Sequence, residues 1–97
     1  MASGKEKDRL RERIGACLAV RDFDAAMDAV RELAKDEATR AEALGAAASI
    51  HIEAGDYEGA APLVAALLQT EPQSVYGAFL HARILFAEGK LLSAYDA

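Results

Sequence analysis

The sequence predicts an all-α fold built from repeated helix pairs, and three observations carry that prediction. Alanine, the residue with the highest helix propensity, accounts for 23 of the 97 residues. Aromatic residues, which favour strands, make up only 6% of the chain. A short pattern also recurs after 34 residues, pairing Asp22 with Asp56, Phe23 with Tyr57 and Ala26 with Ala60. A fixed period of this length indicates a stack of helical repeats.

The first helix pair is predicted from apolar spacing. Between residues 7 and 20 the apolar side chains follow the i, i+4, i+7, i+8 rhythm of one helical face, at Leu10, Ile14, Cys17 and Leu18. A second helix is expected after this stretch, with Asp22 or Asp24 as its N-cap. It should end near Ala34, and the polar residues 35–40 are predicted to connect it to the next pair.

The second pair has clearer boundaries. A third helix is expected from about Ala41 to Gly55, because glycine can adopt the left-handed conformation that ends a helix. Asp56 is predicted to cap the fourth helix, which contains Pro62 in its second turn. Pro72 should stop it, since the residue before a proline is driven out of the helical region.

The third pair is predicted from a fifth helix that is apolar almost all round. It is expected to start near Ser74 and to close at Gly89, and a sixth helix should begin within KLLSAYDA at residues 90–97. The small residues Ala26, Ala60 and Ala94 then occupy one position in three successive pairs. A small side chain at that point lets the two helices of a pair approach closely.

The charge distribution limits the partners. The net charge is −5, with +3 on residues 1–21 and −8 on residues 22–97. The acidic bulk argues against nucleic acid, whose phosphates require Lys and Arg. In the basic segment KEKDRLRER the signs alternate, which favours a solvated helix start. No run reaches the 18 or so apolar residues that span a bilayer. Membrane insertion is not expected, and a cytoplasmic location is the default without a signal segment.

No residues are arranged for catalysis. His51 and His81 fall at repeat positions that are expected to face the helix–helix core, and neither has a Cys or His at metal-ligand spacing. The single cysteine, Cys17, shares the repeat position of His51 and is expected to be a small buried residue. We therefore expect no metal, no cofactor and no enzyme activity.

The middle unit, residues 41–74, resembles the tetratricopeptide repeat (TPR) family. It reads AEALGAAASIHIEAGDYEGAAPLVAALLQTEPQS, with family-typical residues at Ala48, Gly55-Asp56-Tyr57, Ala60 and Pro72. Leu44 and His51 depart from the family pattern. The resemblance extends to residues 7–40 and to a truncated unit at 75–97. It implies a single domain whose antiparallel helix pairs stack into a right-handed superhelix.

The resemblance also implies a function in protein–protein interaction. In the family, the first helix of each pair lines a concave groove that holds a peptide or helix of a partner protein. Carried onto this sequence, the predicted partner-binding residues are Arg11, Ser49, Ile52, Glu53, Tyr76, Phe79 and Arg83. Phe86 also falls at a groove position, but it is expected to belong to the core because its helix is apolar all round. The carboxylate-binding clamp of one family subgroup is not expected, since only Arg11 has suitable chemistry at the matching positions.

Two alternatives remain open at this point. The chain could be a regulatory or docking domain of a larger enzyme, such as a transferase. It could also be a homo-oligomerisation domain that associates through Leu91, Leu92 and Tyr95 at its C-terminal edge. Because the third unit stops partway, the chain is expected to be a fragment or the N-terminal part of a longer protein.

Overall fold

The computed structural model describes residues 4–89, which form five α-helices packed antiparallel in chain order. The helices are α1 (Gly4–Ala19), α2 (Phe23–Ala34), α3 (Arg40–Glu53), α4 (Tyr57–Thr70) and α5 (Val75–Ala87). A short 3₁₀ turn, Glu37–Thr39, joins α2 to α3. The described residues contain no strand, so the all-α prediction is confirmed. The predicted sixth helix lies outside the described residues.

Helices α2, α4 and α5 begin at capping side chains. The side chain of Asp22 accepts a hydrogen bond from the amide of Ala25 at the start of α2. Asp56 caps α4 through the amide of Gly59, as predicted. Ser74, at the predicted start of α5, accepts from the amide of Gly77. Each cap satisfies one of the amides that have no partner within the helix.

Helix α1 differs in detail from the prediction, whereas α4 agrees with it. α1 begins at Gly4, earlier than the apolar spacing indicated, and its charged first turn carries Glu6 near the positive end of the helix. α4 continues past Pro62 to Thr70 without a break.

The corners of the helix pairs share one backbone conformation. Gly55 and Gly89 have φ values of 80° and 76°, and Arg21, at the equivalent position of the first pair, has a φ of 59°. A non-glycine residue is uncommon there. Arg21 also has two favourable contacts that offset the cost. Its guanidinium lies 5.1 Å from the centroid of the Phe23 ring, and Nη2 donates to the carbonyl of Glu53 at 3.1 Å.

The core consists of two apolar clusters, and α3 contributes to both. The first cluster joins α1, α2 and α3 and contains Ile14, Ala26, Ala29, Val30, Leu33, Ala43, Ala47 and Ile50. The second joins α3, α4 and α5 and contains Ala48, Ile52, Ala60, Val64, Leu80 and Ile84. Helix α3 is therefore the central element, buried between its neighbours on both sides.

The predicted burial of the histidines needs correction. His81 is exposed, because α5 packs on α4 through Gly77, Leu80 and Ile84 and its side chain lies to one side of that contact. His51 is half-buried, and its Nδ1 forms a hydrogen bond of 2.9 Å with Oδ2 of Asp56. Cys17 is also half-buried, against the first cluster.

Substitutions at Ala60, which lies at the helix crossing, and at its neighbour Ala61 should differ sharply in their effect on stability. Ala60 is fully buried, whereas Ala61 is exposed on the same helix. Ala60→Leu should overpack the crossing and lower the free energy of unfolding by roughly 1–3 kcal/mol. Ala61→Leu makes the same chemical change on the surface and should stay within about 0.5 kcal/mol of wild type. Urea titration followed by circular dichroism measures both, and equal stabilities for the two variants contradict this packing.

Substitution by alanine should have opposite effects on stability at two glycines, Gly55 and Gly15. Gly55 has a positive φ, whereas Gly15 lies in the interior of α1, with no atom within 4 Å of the position that a Cβ would occupy. Gly55→Ala should lower the free energy of unfolding by about 1 kcal/mol, because a Cβ is strained in the left-handed region. Gly15→Ala should raise it by about 0.5–1 kcal/mol through the better helix propensity of alanine. Thermal unfolding of both variants tests the pair, and a shift in the same direction for both refutes the corner conformation.

Candidate interaction surface

Helices α1, α3 and α5 are linked along one side of the molecule by side-chain hydrogen bonds. Arg11 on α1 reaches Glu42 on α3, and Ser49 and Glu53 on α3 reach Tyr76 and Arg83 on α5. These six residues define what we call the α1–α3–α5 face. They include most of the positions at which the sequence predicted a groove.

Arg11 is held by two carboxylates. Its Nε and Nη2 donate to the two oxygens of Glu42 at 2.6 and 2.9 Å, and Nη1 donates to Oδ1 of Asp8 at 2.9 Å. The hydrogen bonds that Arg11 donates to Glu42 hold the pKa of Glu42 below its ordinary value and raise the pKa of Arg11. Fork-to-fork pairing of this kind fixes both side chains in one geometry. Arg11 therefore joins α1 to α3 and is not an unpaired cation on the surface.

Tyr76 is positioned by a glycine and a hydroxyl group. Its ring lies so close to α3 that a Cβ built on Gly45 would be 2.8 Å from the ring atom Cε2. The Tyr76 hydroxyl and the Ser49 hydroxyl form a hydrogen bond. The Tyr76 side chain nevertheless remains 50% exposed. An aromatic ring is thus held against α3 and remains half exposed to solvent.

Arg83 has two neighbours on the face. Its Nη1 lies 3.3 Å from Oε1 of Glu53, and its guanidinium carbon is 5.9 Å from the centroid of the Phe79 ring. The cation is therefore shared between a carboxylate and an aromatic face. This arrangement leaves the Phe79 ring supported on one side and 49% exposed.

Two depressions lie on or beside this face. One, of about 440 Å³, is bounded by α5 and the first residue of α4, and it is lined by Tyr57, Phe79, Ala82, Arg83, Phe86 and Ala87. The other, of about 360 Å³, is lined by Arg11, Ile14, Leu33, Glu42, Ala46 and Tyr76. The first is the more aromatic of the two, and a single charged side chain, Arg83, contributes to its lining. We call it the aromatic depression.

Two of the predicted placements are corrected by the structure. Ile52 is only 2% exposed, because it points into the second core cluster between α4 and α5, and it cannot contact a partner. Phe86, expected in the core, is instead 69% exposed beside the aromatic depression. Among the described elements, α5 packs on α3 and α4, and Phe86 does not lie on that side.

Sequence reasoning also missed one residue of the surface, Tyr57, and one ion pair, Arg11–Glu42. Tyr57 lines the aromatic depression although it follows the N-cap of α4, a position that the sequence indicates only as a corner. The repetition of an aromatic residue at Phe23 and Tyr57 was the available signal. The pairing of Glu42 with Arg11, which are 31 residues apart, left no local trace in the sequence. Leu91, Leu92 and Tyr95 lie outside the described residues.

Metal binding and membrane insertion find no support in residues 4–89. No group of three or more His, Cys, Asp or Glu side chains in this range is arranged to hold a metal ion. Among the helices of the same range, none is both long and apolar enough to cross a membrane.

The fold and this face define a class of protein, a stack of antiparallel helix pairs with the first helices of the pairs side by side. A family profile described as "Tetratricopeptide repeat" matches residues 17–84, more than half of the chain. The chain therefore belongs to the tetratricopeptide repeat family, a family of protein-interaction modules. No curated protein and no solved structure matches the chain significantly.

The Arg11–Glu42 pair predicts a defined pH dependence. Because the pKa of Glu42 is lowered from 4.5 in the folded protein, the unfolded chain binds a proton more tightly. The stabilisation by the pair is present above pH 4.5 and is lost as the pH falls through the folded pKa. Glu42→Gln should therefore be less stable than wild type at pH 7, and the difference should be smaller at pH 3.

The matched control removes the partner. In an Arg11→Gln background, Glu42→Gln should change the free energy of unfolding by nearly the same amount at both pH values. Urea titrations of the four proteins at pH 7 and pH 3 complete the cycle. A pH-dependent difference that persists without Arg11 assigns the effect to another group.

Proposed function

We propose that this chain is a protein-interaction module that binds a peptide or helix of a partner protein on the α1–α3–α5 face and in the adjoining aromatic depression. Tyr76, Phe79, Arg83 and Phe86 are the main contacts. The observation that carries the proposal is the exposure of apolar side chains on α5. Family membership supports the same class of function, because tetratricopeptide repeats generally bind other proteins.

The exposure on α5 is concentrated. Of the five most exposed large apolar side chains in residues 4–89, four lie on this helix, and the fifth is Val20. The four, with their exposed fractions, are Val75 at 85%, Phe86 at 69%, Tyr76 at 50% and Phe79 at 49%. Adjacent exposed apolar groups of this kind mark interaction sites, whereas single ones are ordinary.

The residue types suit an anchor site. Tyrosine and arginine are enriched among the residues that dominate binding energy, and they act best where the partner excludes water. Tyr76 packs against Gly45 and Phe79 against Arg83, so little side-chain entropy remains to be lost on binding. A rigid, half-exposed aromatic surface is well suited to an apolar side chain of a partner.

The charges of the face indicate what drives the binding. Arg11 and Arg83 are each paired with a carboxylate of α3, so a carboxylate of the partner would have to displace an existing partner. The contribution of charge to affinity is then small, and apolar burial in the aromatic depression dominates. We therefore expect the partner segment to present at least one large apolar side chain to this depression.

The proposal is tested by capture of binding proteins with two matched variants. Phe79→Ala/Phe86→Ala removes the exposed rings, and Val75→Ala truncates a still more exposed apolar side chain that does not line the depression. Proteins captured by wild type, identified by quantitative mass spectrometry, should be depleted at least about tenfold by the double variant, as for an anchor residue. They should be retained by Val75→Ala.

A second double variant distinguishes the contribution of the α1–α3–α5 face to binding from that of the aromatic depression. Tyr76→Ala/Arg83→Ala alters the centre of the face, and circular dichroism checks that the helices persist because Tyr76 also packs on α3. If both double variants capture the same proteins as wild type, the binding surface lies elsewhere and the proposal is wrong.

A further inference from the structure

The basic side chains divide into two groups. Eleven Lys and Arg residues occur in the chain, and all but Lys90 lie in residues 4–89. Seven of them have an acidic, carbonyl or aromatic partner: Lys7, Arg11, Arg21, Arg31, Lys35, Arg40 and Arg83. The remaining three, Lys5, Arg9 and Arg13, have no partner among the described residues. We call these three the basic stripe.

The basic stripe occupies one face of one helix. Its residues are spaced at i, i+4 and i+8 along α1, and all three are exposed. Lys7 and Arg11, on the other side of α1, are the cations that pair with Asp36 and Glu42. The cations on one side of α1 therefore form ion pairs within the fold, and the three on the other side form none among the described residues.

The repeat period shows what kind of face this is. The residues 34 positions after Lys5, Arg9 and Arg13 are Thr39, Ala43 and Ala47, which are 5%, 2% and 6% exposed. Ala43 and Ala47 are buried in the first core cluster with residues of α2. On α3, this side is covered by α2. The basic stripe lies on the equivalent side of α1.

The same correspondence continues beyond the stripe. Ala16 is equivalent to Ile50, which is 2% exposed in the first cluster. Ala16 itself is exposed, and Val20, one turn further on, is 75% exposed. The outer side of α1 is thus basic over its first half and apolar towards its C-terminal end.

We propose that an acidic, amphipathic helix of another protein docks along this outer side of α1. Its carboxylates face the basic stripe at spacings of four residues, and its apolar side chains cover Ala16 and Val20. Charge complementarity selects an acidic partner, because cations covered by a neutral helix would lose their hydration without compensation. The long stems of Lys and Arg supply apolar contact alongside the charges. This surface is separate from the α1–α3–α5 face and does not depend on it.

Two other classes of anion fit the surface less well. The net charge of −5 and the carboxylates Glu6, Asp8 and Glu12 on the same helix oppose a uniformly anionic nucleic acid or membrane. A partner helix with discrete carboxylates can avoid these positions.

A second copy of this chain is also disfavoured as the partner. Its own i, i+4, i+8 carboxylates, Asp24, Asp28 and Glu32, lie on α2. Two of them are bound to Arg31 and Lys35 and would have to exchange partners.

The test uses the full chain and synthetic helical peptides as probes. The acidic peptide carries Glu at i, i+4 and i+8 on one face with Leu one turn further on, and the neutral peptide carries Gln at the same positions. Fluorescence anisotropy should show the acidic peptide binding at least about tenfold more tightly than the neutral one, with affinity falling as salt is added. Arg9→Glu/Arg13→Glu should abolish this preference, and a third peptide with Lys in place of Glu should bind that variant but not wild type.

The control variant makes the same charge change elsewhere. Arg31→Glu/Lys35→Glu alters two exposed cations on α2 and should leave the affinity for the acidic peptide within about twofold, a surface effect of a few tenths of a kcal/mol. Equal binding of the Glu and Gln peptides, or an equal loss with both variants, overturns the proposal. So does stripe-dependent dimerisation in sedimentation equilibrium, or tighter stripe-dependent binding to single-stranded RNA or phosphatidylserine vesicles. Phe79→Ala/Phe86→Ala should not affect the acidic peptide, so the two proposals can fail independently.

Discussion

The close approach of helices at small side chains is the constraint on which the rest of this structure depends. Ala26, Ala48 and Ala60 are each 0% exposed. At each of these positions the neighbouring helices are separated by only one methyl group. Alanine buries little apolar area, and one helix pair therefore gains too little to be stable alone. Stacking solves this problem, because α3 is covered on both sides and contributes to both core clusters. The repeat architecture is a consequence of the small-residue core.

The same constraint shapes the α1–α3–α5 face. Because Gly45 has no side chain, the Tyr76 ring lies directly against α3 while its hydroxyl bonds to Ser49. The ion pairs of Arg11 with Glu42 and of Arg83 with Glu53 add fixed links on either side. Individually such exposed pairs contribute little stability. Their effect here is positional, since they hold three helices in a fixed order and support the aromatic rings that α5 presents.

Local signals made most of the fold predictable, and long-range packing accounts for what was missed. The 34-residue period, the caps Asp22 and Asp56, the start of α5 at Ser74 and the corner at Gly55 are short-range features, and each was predicted from its neighbours in sequence. The resemblance to the tetratricopeptide repeat family supplied the predicted groove positions. It could not separate Ile52 from Glu53, because adjacent helical positions differ by about 100° and the packing of α4 and α5 decides which one is buried. The exposure of Phe86 has the same origin, since an all-apolar helix does not indicate its covered side.

The outer side of α1 is basic, whereas the exposed surface of α5 is aromatic. Comparison of equivalent repeat positions shows how the outer side of α1 differs from the buried side of α3. At equivalent positions, α3 has Ala43 and Ala47 buried against α2, whereas α1 has Arg9 and Arg13 exposed. A purely apolar neighbour is therefore rejected at the outer side of α1, because the desolvation of two guanidinium groups would exceed the gain from contact. The surface of α5 has the opposite requirement, since its exposed Phe79 and Phe86 gain most from an apolar neighbour. If both proposed surfaces bind as inferred, one repeat array discriminates between partners by charge at one helix and by apolar shape at another. Both surfaces lie mainly on the first helices of their pairs, and the second helices, α2 and α4, hold those helices in place.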